Sequence, residues 1–232
     1  MRGVDHAPVV GLWISPRPKP VDWYGRVMRW DNLFDDLESQ LAQEITAEEI
    51  DLQAEEERLR LARLSLRDRL FSIHTMASGD DERMLRLILR DGTRMSVTPT
   101  TFGRDWLSGE LIDDSARRPA CVVPLDAIHG ISLARNQVMT SLDPTRAVES
   151  PGALSAKLGL TFVLRDLCRR RQPVELRVSD PANPQAPLHG TIDRVGRDHL
   201  DLAMHEPGHP RRESAVTEYR LVRLSQLLLV RL

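Results

Sequence analysis

The segment Gly103-Arg104-Asp105-Trp106-Leu107 recurs in the second half of the chain as Gly196-Arg197-Asp198-His199-Leu200. Two further matches keep the same order on either side of this segment: Leu66-Arg67-Asp68 matches Leu164-Arg165-Asp166, and Val122–Ile128 matches Leu221–Leu227. Three matches in one order indicate a duplicated structural unit.

Each copy contains short segments whose sequence is typical of β-strands, and these segments determine the fold that we expect. Apolar residues alternate over 85–90 and lead into Asp91-Gly92, a strong signal for a hairpin turn. The other segments are 95–101, 106–111, 120–123 and 128–133 in the first copy, and 174–178, 190–195, 199–204, 219–223 and 227–232 in the second. Because short strands behind one helix cannot bury two faces as a flat sheet, each copy is expected to curl into a small closed barrel without free edges.

Two helical regions are expected to lead the two copies. Residues 31–70 contain neither proline nor glycine, and Thr46 with Glu49 has the spacing of a capping box. This pattern predicts one helix over 31–45 and a second over 47–70. Before the second copy, Ser150 as N-cap and Pro151 as first helical residue predict a helix that runs to about Arg171.

The expected fold is therefore α+β: an N-terminal acidic helical arm followed by two small five-stranded β-barrels, each led by a helix. Met28 is the hypothetical natural start of the protein, because the helical pattern begins only after it. The expected segments are 1–27 as a disordered or upstream extension, 28–57 as the acidic arm, 58–135 as the first helix and barrel, 136–150 as a linker, and 151–232 as the second helix and barrel.

The order of strands and the placement of glycines resemble the Sm-like and SH3-like small barrels, including the bacterial host-factor type. The stretch Met28-Arg29-Trp30-Asp31-Asn32-Leu33-Phe34 also resembles the opening of an uncharacterised family of actinobacterial proteins. This second resemblance extends over residues 28–232, and together the two imply tandem small β-barrels. The motifs that bind uridine in Sm rings have no counterparts in this sequence, so no binding residue is carried over from them.

Composition and charge exclude several classes of protein. Apolar residues make up 41% of the 232 residues, enough for a buried core, and two cysteines are too few for a disulfide framework. No apolar stretch is long enough to span a membrane, so we expect a cytoplasmic protein without membrane contact. The formal charge of −2 hides an asymmetry, because residues 30–57 contain 11 acidic residues and no lysine or arginine.

One motif has the spacing of a metal site. His205-Glu206-Pro207-Gly208-His209 matches the H-E-x-x-H pattern of zinc proteases, which place both histidines on one helix. Pro207 and Gly208 would break such a helix, so a protease is not expected. A looser metal site built from His189, His199, His205 and His209 stays open, beside the simpler interpretation of an exposed histidine-rich loop.

Other chemical motifs are explained by structure alone. Asp105 and Asp198 follow matching glycines and are expected to cap turns. Cys121 and Cys168 are expected to pack as small core residues. We find no phosphate-binding glycine loop, no nucleophile elbow and no Cys₄ or Cys₂His₂ spacing, so the sequence predicts no catalytic residue, no cofactor and no resident metal, and the protein is not expected to be an enzyme.

The preferred functional hypothesis is a binding or regulatory protein whose barrels contact nucleic acid, RNA in first place, through arginines carried by the helices. The residues concerned are Arg58, Arg60, Arg63, Arg67, Arg165, Arg169, Arg170 and Arg171. The alternative is a protein–protein adaptor that binds no nucleic acid and uses the acidic arm, with Trp30, Leu33, Phe34 and Leu37 in contact with the partner. A homo-oligomer formed through edge strands or through the arm also stays open.

Overall fold

The computed structural model describes the chain in two units, residues 1–60 and 61–232. It does not describe residues 1–23, 114–117, 144–153, 181–185 and 209–211, nor the side chains of residues 24–32. The expected N-terminal extension therefore lies mostly outside the described residues, as does the expected N-cap at Ser150.

Most of the first unit is one helix, α1, which runs from Tyr24 to Arg63 over 40 residues. The predicted break near Ile45 is wrong. The hydroxyl of Thr46 donates a hydrogen bond of 2.8 Å to the carbonyl of Ala42 one turn earlier, and so does not cap a new helix. The capping box stands instead at Ser65, whose Oγ accepts a 3.1 Å hydrogen bond from the backbone N–H of Asp68.

The second unit contains both helices and β-strands. Its described helices are α2 (Leu66–Met76), α3 (Asp80–Arg83), α4 (Arg135–Leu142), α5 (Leu154–Lys157) and α6 (Leu160–Arg170). Its described strands are β1 (Leu85–Leu89), β2 (Arg94–Phe102), β3 (Trp106–Ile112), β4 (Ala120–Pro124), β5 (Ile128–Ser132), β6 (Pro173–Val178), β7 (Leu188–Val195), β8 (His199–Met204), β9 (Glu218–Arg223) and β10 (Leu227–Arg231).

The ten strands form one antiparallel sheet, in the order β5-β1-β2-β3-β4-β10-β6-β7-β8-β9. The prediction of two separate, closed five-stranded barrels is therefore wrong. Strand β4 pairs with β10, with Val122 opposite Val230 and Cys121 opposite Arg231. Since an unpaired edge leaves backbone groups without partners, joining β4 to β10 satisfies one edge of each half without closing either half on itself. Strands β5 and β9 form the two ends of the sheet.

The two halves of the sheet repeat one strand order. We call β1–β5 with α2 the first repeat, and β6–β10 with α6 the second repeat. The backbone N–H of Gly103 donates to the carbonyl of Trp106 at 2.8 Å, and that of Gly196 donates to the carbonyl of His199 at 2.9 Å. A short 3-10 turn precedes the last strand of each repeat, at Leu125–Ala127 and at Leu224–Gln226. The duplication that the sequence indicates is thus present in the topology.

Two aliphatic clusters form the core, and each crosses the junction between the repeats. The cluster around Leu87 and Leu107 includes Leu228 and Leu229 of β10. The cluster around Leu164, Leu176 and Leu200 includes side chains of the first repeat, namely Trp106 and Val122. Because each core takes side chains from the other repeat, the two repeats fold as parts of one packed unit.

The first part of the predicted linker over 136–150 is helical, because it lies in α4, whereas residues 144–150 lie outside the described residues. Helix α4 packs against α2, and the Gln137 side-chain amide donates to the carbonyls of Glu82 at 2.8 Å and Met84 at 3.0 Å. The helix expected to continue to Arg171 is interrupted between α5 and α6, where Gly159 is the N-cap.

Candidate interaction surfaces

Two of the three arginines predicted to bind nucleic acid on α1, Arg58 and Arg60, are paired within the helix. Arg60 pairs with Glu57 at 2.6 Å, and Arg58 pairs with Glu55 at 3.4 Å. The hydrogen bond from Arg60 holds the pKa of the Glu57 carboxyl below its usual value. These pairs give a charged helix face whose positive charge is matched locally.

Arg67 is used inside the second unit. Its Nε donates a 2.6 Å hydrogen bond to the carbonyl of Gly103, and only 13% of its side chain is exposed. It therefore supports the turn after β2, and its guanidinium is not presented to a ligand. Arg69 is similarly engaged, because its Nη2 donates to the hydroxyl of Ser141 at 3.0 Å.

The end of α6 presents a partly neutralised set of arginines. Arg169 and Arg170 each reach the carboxylate of Asp166 at 2.7 Å. The hydrogen bond from Arg169 is the main cause that lowers the pKa of Asp166. Arg171 ends the helix in the left-handed conformation, with φ of 50°. Of the eight predicted arginines, those that are exposed without a side-chain ion pair among the described residues are Arg63, Arg165 and Arg171.

Helix α1 carries the residues predicted to bind a protein partner. Leu33, Phe34 and Leu37 are 45%, 58% and 51% exposed, and the side chain of Trp30 lies outside the described residues. The same exposure continues along the first unit for five more apolar side chains: Leu41, Ile45, Ile50, Leu52 and Leu59. The structure therefore places a long series of exposed apolar side chains on an acidic helix.

The sheet ends in an edge strand with exposed apolar residues. Leu221 of β9 is 72% exposed and Tyr219 is 59% exposed. The registers of β3 with β4 and of β8 with β9 make Val122 the counterpart of Leu221 in the first repeat. Val122 is only 3% exposed, because β10 covers it at the junction. The same position is thus buried inside the sheet and open at its end.

Of the four histidines considered for a metal site, the three that the structure describes do not form a metal-ligand set. His205 is 5% exposed, and its Nε2 lies 3.0 Å from the hydroxyl of Thr191. The imidazole of His199 pairs with Asp198 at 2.9 Å, and His189 lies 3.6 Å from Glu175. His209 lies outside the described residues, and within the described part no group of three metal-ligating side chains occurs. Residues 205–208 are not helical, so they lack the helical placement on which a zinc protease depends.

Neither cysteine has the setting of a reactive nucleophile. Burial raises the pKa of the Cys121 thiol to about 12. The sulfur of Cys168 lies 3.2 Å from the carbonyl of Asp193 on β7. Both cysteines pack within the fold, as the sequence predicts for small core residues.

Sequence reasoning missed two exposed arginines on the outer face of the sheet, Arg86 and Arg94. The alternation of β1, in which Leu85, Leu87 and Leu89 are buried, points Arg86 to the opposite face. That signal was present in the sequence. The neighbouring position of Arg94 depends on the register of β1 with β2, which the sequence does not show.

Comparison of the chain with protein-family models, with curated proteins and with solved structures finds no match. The resemblance of Met28–Phe34 to the opening of an actinobacterial family therefore stays a prediction. In the part of the chain that the structure describes, no helix combines the length and the apolar character needed to cross a membrane.

Proposed function

We propose that the protein is a non-catalytic adaptor that binds a protein partner through α1 and uses the sheet as a scaffold. One observation carries this proposal: the large apolar side chains of α1 from Leu33 to Leu59 are between 45% and 66% exposed. Burying one such side chain in a partner stabilises a complex by up to about 1.5–3 kcal/mol. An apolar series of this length on one helix is typical of a segment that lies in a groove of another protein.

The negative charge of α1 indicates which class of protein partner it can bind. Residues 30–57 carry 11 acidic residues and no basic residue, so α1 presents negative charge around its apolar side chains. The complementary partner is a protein with an apolar groove bordered by lysine or arginine. Such complementarity speeds association and makes it sensitive to salt.

The test uses the full chain and two matched double variants of α1. Leu37→Glu with Leu41→Glu adds two negative charges on the apolar side, and Ser39→Glu with Gln43→Glu adds two charges on the other side of the helix. Affinity capture from the native cell after nuclease treatment, followed by mass spectrometry, should recover a basic protein with the wild-type chain and the control variant but not with the leucine variant. If all three chains recover the same proteins, α1 is not the binding element.

The structure also supports a proposal for self-association. Inside the sheet, β4 pairs with β10, and the counterparts of these strands in the other repeat are the two end strands, β9 and β5. If a second copy repeats that pairing, Leu221 of one copy lies opposite Ile131 of the next, as Val122 lies opposite Val230. The exposed Leu221 would then be buried in the same way as Val122 is at the internal junction.

Sedimentation velocity over a range of concentrations tests the self-association. Leu221→Lys should give a monomer, since it places a charge in the paired edge. Leu154→Lys is the control, because Leu154 is 71% exposed but lies on α5. A wild-type chain that stays monomeric at all concentrations, or two variants that behave alike, would contradict pairing through this edge.

Nucleic-acid binding is the second candidate function. It is supported by Arg63, Arg165 and Arg171, which are exposed and carry no side-chain ion pair among the described residues. Fluorescence anisotropy with a generic RNA should show affinity that falls steeply as salt rises from about 50 mM. Replacing Arg165 and Arg171 together by glutamine should reduce the salt dependence. No binding at low salt would reject this candidate and leave the adaptor function untouched.

A further inference from the structure

We propose that Arg86 and Arg94, on the outer face of the first repeat, form a binding site for the phosphate group of a small organic ligand. The site lies on β1, β2 and β5, and it is distinct from α1. This proposal goes beyond the adaptor function and does not depend on it.

The register of the strands places the two arginines in one groove. Arg86 lies opposite Ser96 of β2 on one side and opposite Ser132 of β5 on the other. One row further, Ile88 lies opposite Arg94 and opposite Gly130. Residues directly opposite each other share a face of the sheet. The groove has a volume of about 410 Å³, which lies within the usual range for small-molecule sites.

The geometry lets both guanidinium groups meet at one anion. Arg86 and Arg94 are diagonal neighbours across the β1–β2 hairpin, a relationship that separates residues by roughly 7–8 Å. The arginine side chain is long enough to cover half of that distance from each side. Two planar forks with fixed N–H donors match the oxygens of a phosphate group better than two ammonium groups would. The hydroxyls of Ser96 and Ser132, which line the same groove, add donors beside them.

Among the described residues, no acidic side chain pairs with the two arginines of the groove. Arg86 and Arg94 are both exposed, and neither forms an ion pair or a side-chain hydrogen bond within the described residues. Asp81 and Glu82 line a neighbouring groove together with Arg86, but no ion pair joins them to it. Two adjacent, unpaired arginines in a concave surface favour an anionic ligand.

The second repeat provides an internal comparison, because it forms a groove at the same place in which charged residues of both signs occur. The strand registers make Glu175 the counterpart of Arg86, His189 the counterpart of Ser96, and Arg231 the counterpart of Ser132.

In that second groove the charges pair with one another. Glu175 lies 3.6 Å from His189 and 3.9 Å from Arg231, and Arg231 also reaches Asp113 at 3.4 Å. Duplicated positions therefore diverged into one groove with compensated charges and one groove with two unpaired arginines. The first groove, unlike the second, therefore leaves two arginine side chains available to an anionic ligand.

The apolar part of the groove favours an organic phosphate over the free ion. Ile88 and Ile112 line it beside the arginines, and both are only partly buried. An organic group attached to the phosphate can cover these side chains and gain free energy from their burial. Inorganic phosphate offers no such contact, and it is expected to bind more weakly.

Isothermal titration calorimetry of the full chain tests the site at low salt. The probes are adenosine monophosphate, inorganic phosphate and a short single-stranded oligouridylate, with sodium chloride matched in every cell. Adenosine monophosphate should bind with the highest affinity. Arg86→Gln or Arg94→Gln should weaken it about tenfold or more, since one charge-assisted hydrogen bond is worth at least a factor of that order. Arg197→Gln, at an exposed turn of the second repeat, is the control and should bind as the wild type does.

A further variant, Gly130→Asp, tests the site without changing either arginine. A Cβ atom at Gly130 would meet only the Cδ1 atom of Ile88, at 3.9 Å, so Gly130→Asp fits the fold and adds a carboxylate beside the groove. It should abolish binding without lowering the melting temperature.

Any one of the following outcomes would overturn the proposal. The first is a wild-type chain that binds none of the three probes. The second is equal loss of binding in Arg197→Gln, or full binding in Gly130→Asp. The third is binding of the oligouridylate alone, which would make the ligand a nucleic-acid strand and not a small phosphate.

Discussion

The carboxylate of Asp105 accepts a 2.7 Å hydrogen bond from the backbone N–H of Leu160, so a turn of the first repeat caps the helix that leads the second. Two more hydrogen bonds join the same places. The backbone N–H of Arg104 and the indole Nε1 of Trp106 both donate to the carbonyl of Leu158, at 3.0 and 2.9 Å. In the second repeat, the equivalent Asp198 pairs with His199 and caps none of the described helices.

Replacing Asp105 by alanine should therefore destabilise the protein, because the first turn of α6 loses an acceptor for its free N–H groups. The free energy of unfolding should fall by about 1 kcal/mol, within the range known for N-caps. Urea denaturation followed by circular dichroism measures it. Asp198→Ala is the matched control and should change stability much less; equal effects of the two substitutions would contradict the capping role.

Two glycines in strands should differ sharply in their tolerance of alanine. A Cβ at Gly190 would come within 2.3 Å of the carbonyl oxygen of Ala203 on the neighbouring strand, so β7 and β8 would have to separate. Gly190→Ala should lower the melting temperature by several degrees. Gly130→Ala, whose Cβ meets only the end of Ile88, should leave it nearly unchanged. A thermal scan that places both variants at the wild-type value would refute the close approach.

The thiol of Cys121 should be inert in the folded protein. Burial raises its pKa to about 12, and the thiolate is the reactive form, so almost none is present near neutral pH. A thiol reagent at pH 8 should label Cys121 only after denaturation or local opening of β4 from β10. Mass spectrometry of peptides from native and urea-treated samples shows the difference. Rapid labelling of Cys121 under native conditions would mean that the junction between the repeats opens readily.

Acidification should destabilise the second unit through His74. Its pKa is lowered, first by burial and then by the positive charge of Arg83, and its buried Nδ1 has no hydrogen-bond partner among the residues that the structure describes. Below pH about 6.5, the usual pKa of histidine, His74 is protonated in the unfolded chain but stays neutral in the folded chain. Protonation therefore favours the unfolded state, and the stability that the protein has at pH 7.5 decreases as the pH falls from about 6.5 to the lower pKa of folded His74.

Denaturation of the wild type and of His74→Gln at pH 7.5 and at pH 5.5 tests this linkage. The glutamine variant does not titrate and should lose less stability over this interval than the wild type. Carboxyl groups with lowered pKa values, such as Asp91, act in the same direction but at lower pH. If both chains lose the same stability between the two pH values, His74 does not carry the effect.

For the candidate sites, the sequence predicted which residues are exposed more reliably than which side chains they contact. The arginines of the helices were chosen because they cluster along the chain, but clustering does not reveal that Arg67 donates to Gly103 or that Arg169 and Arg170 share Asp166. The exposure of Leu33, Phe34 and Leu37 agrees with their choice as partner-binding residues, although whether they bind a partner stays a prediction.

The capping signal at Thr46 illustrates a local limit. A serine or threonine three residues before a glutamate fits a helix start, but it fits the interior of a helix equally well when no glycine or proline interrupts the chain. The continuous helix prevails here because the residues on both sides of Thr46 have high helix propensity.

Periodicity and turn residues were enough to recognise most strands of this chain, its duplication and the matching turns at Gly103 and Gly196, because all of these features depend on side chains that lie close together in the sequence. Periodicity and turn residues did not predict that the two repeats join into one ten-stranded sheet. Pairing of β4 with β10 is made by backbone groups that every residue carries, so no side-chain pattern distinguishes it from closure of each repeat on itself. The choice depends on long-range packing, in which Val122 and Val230 are buried together at the junction.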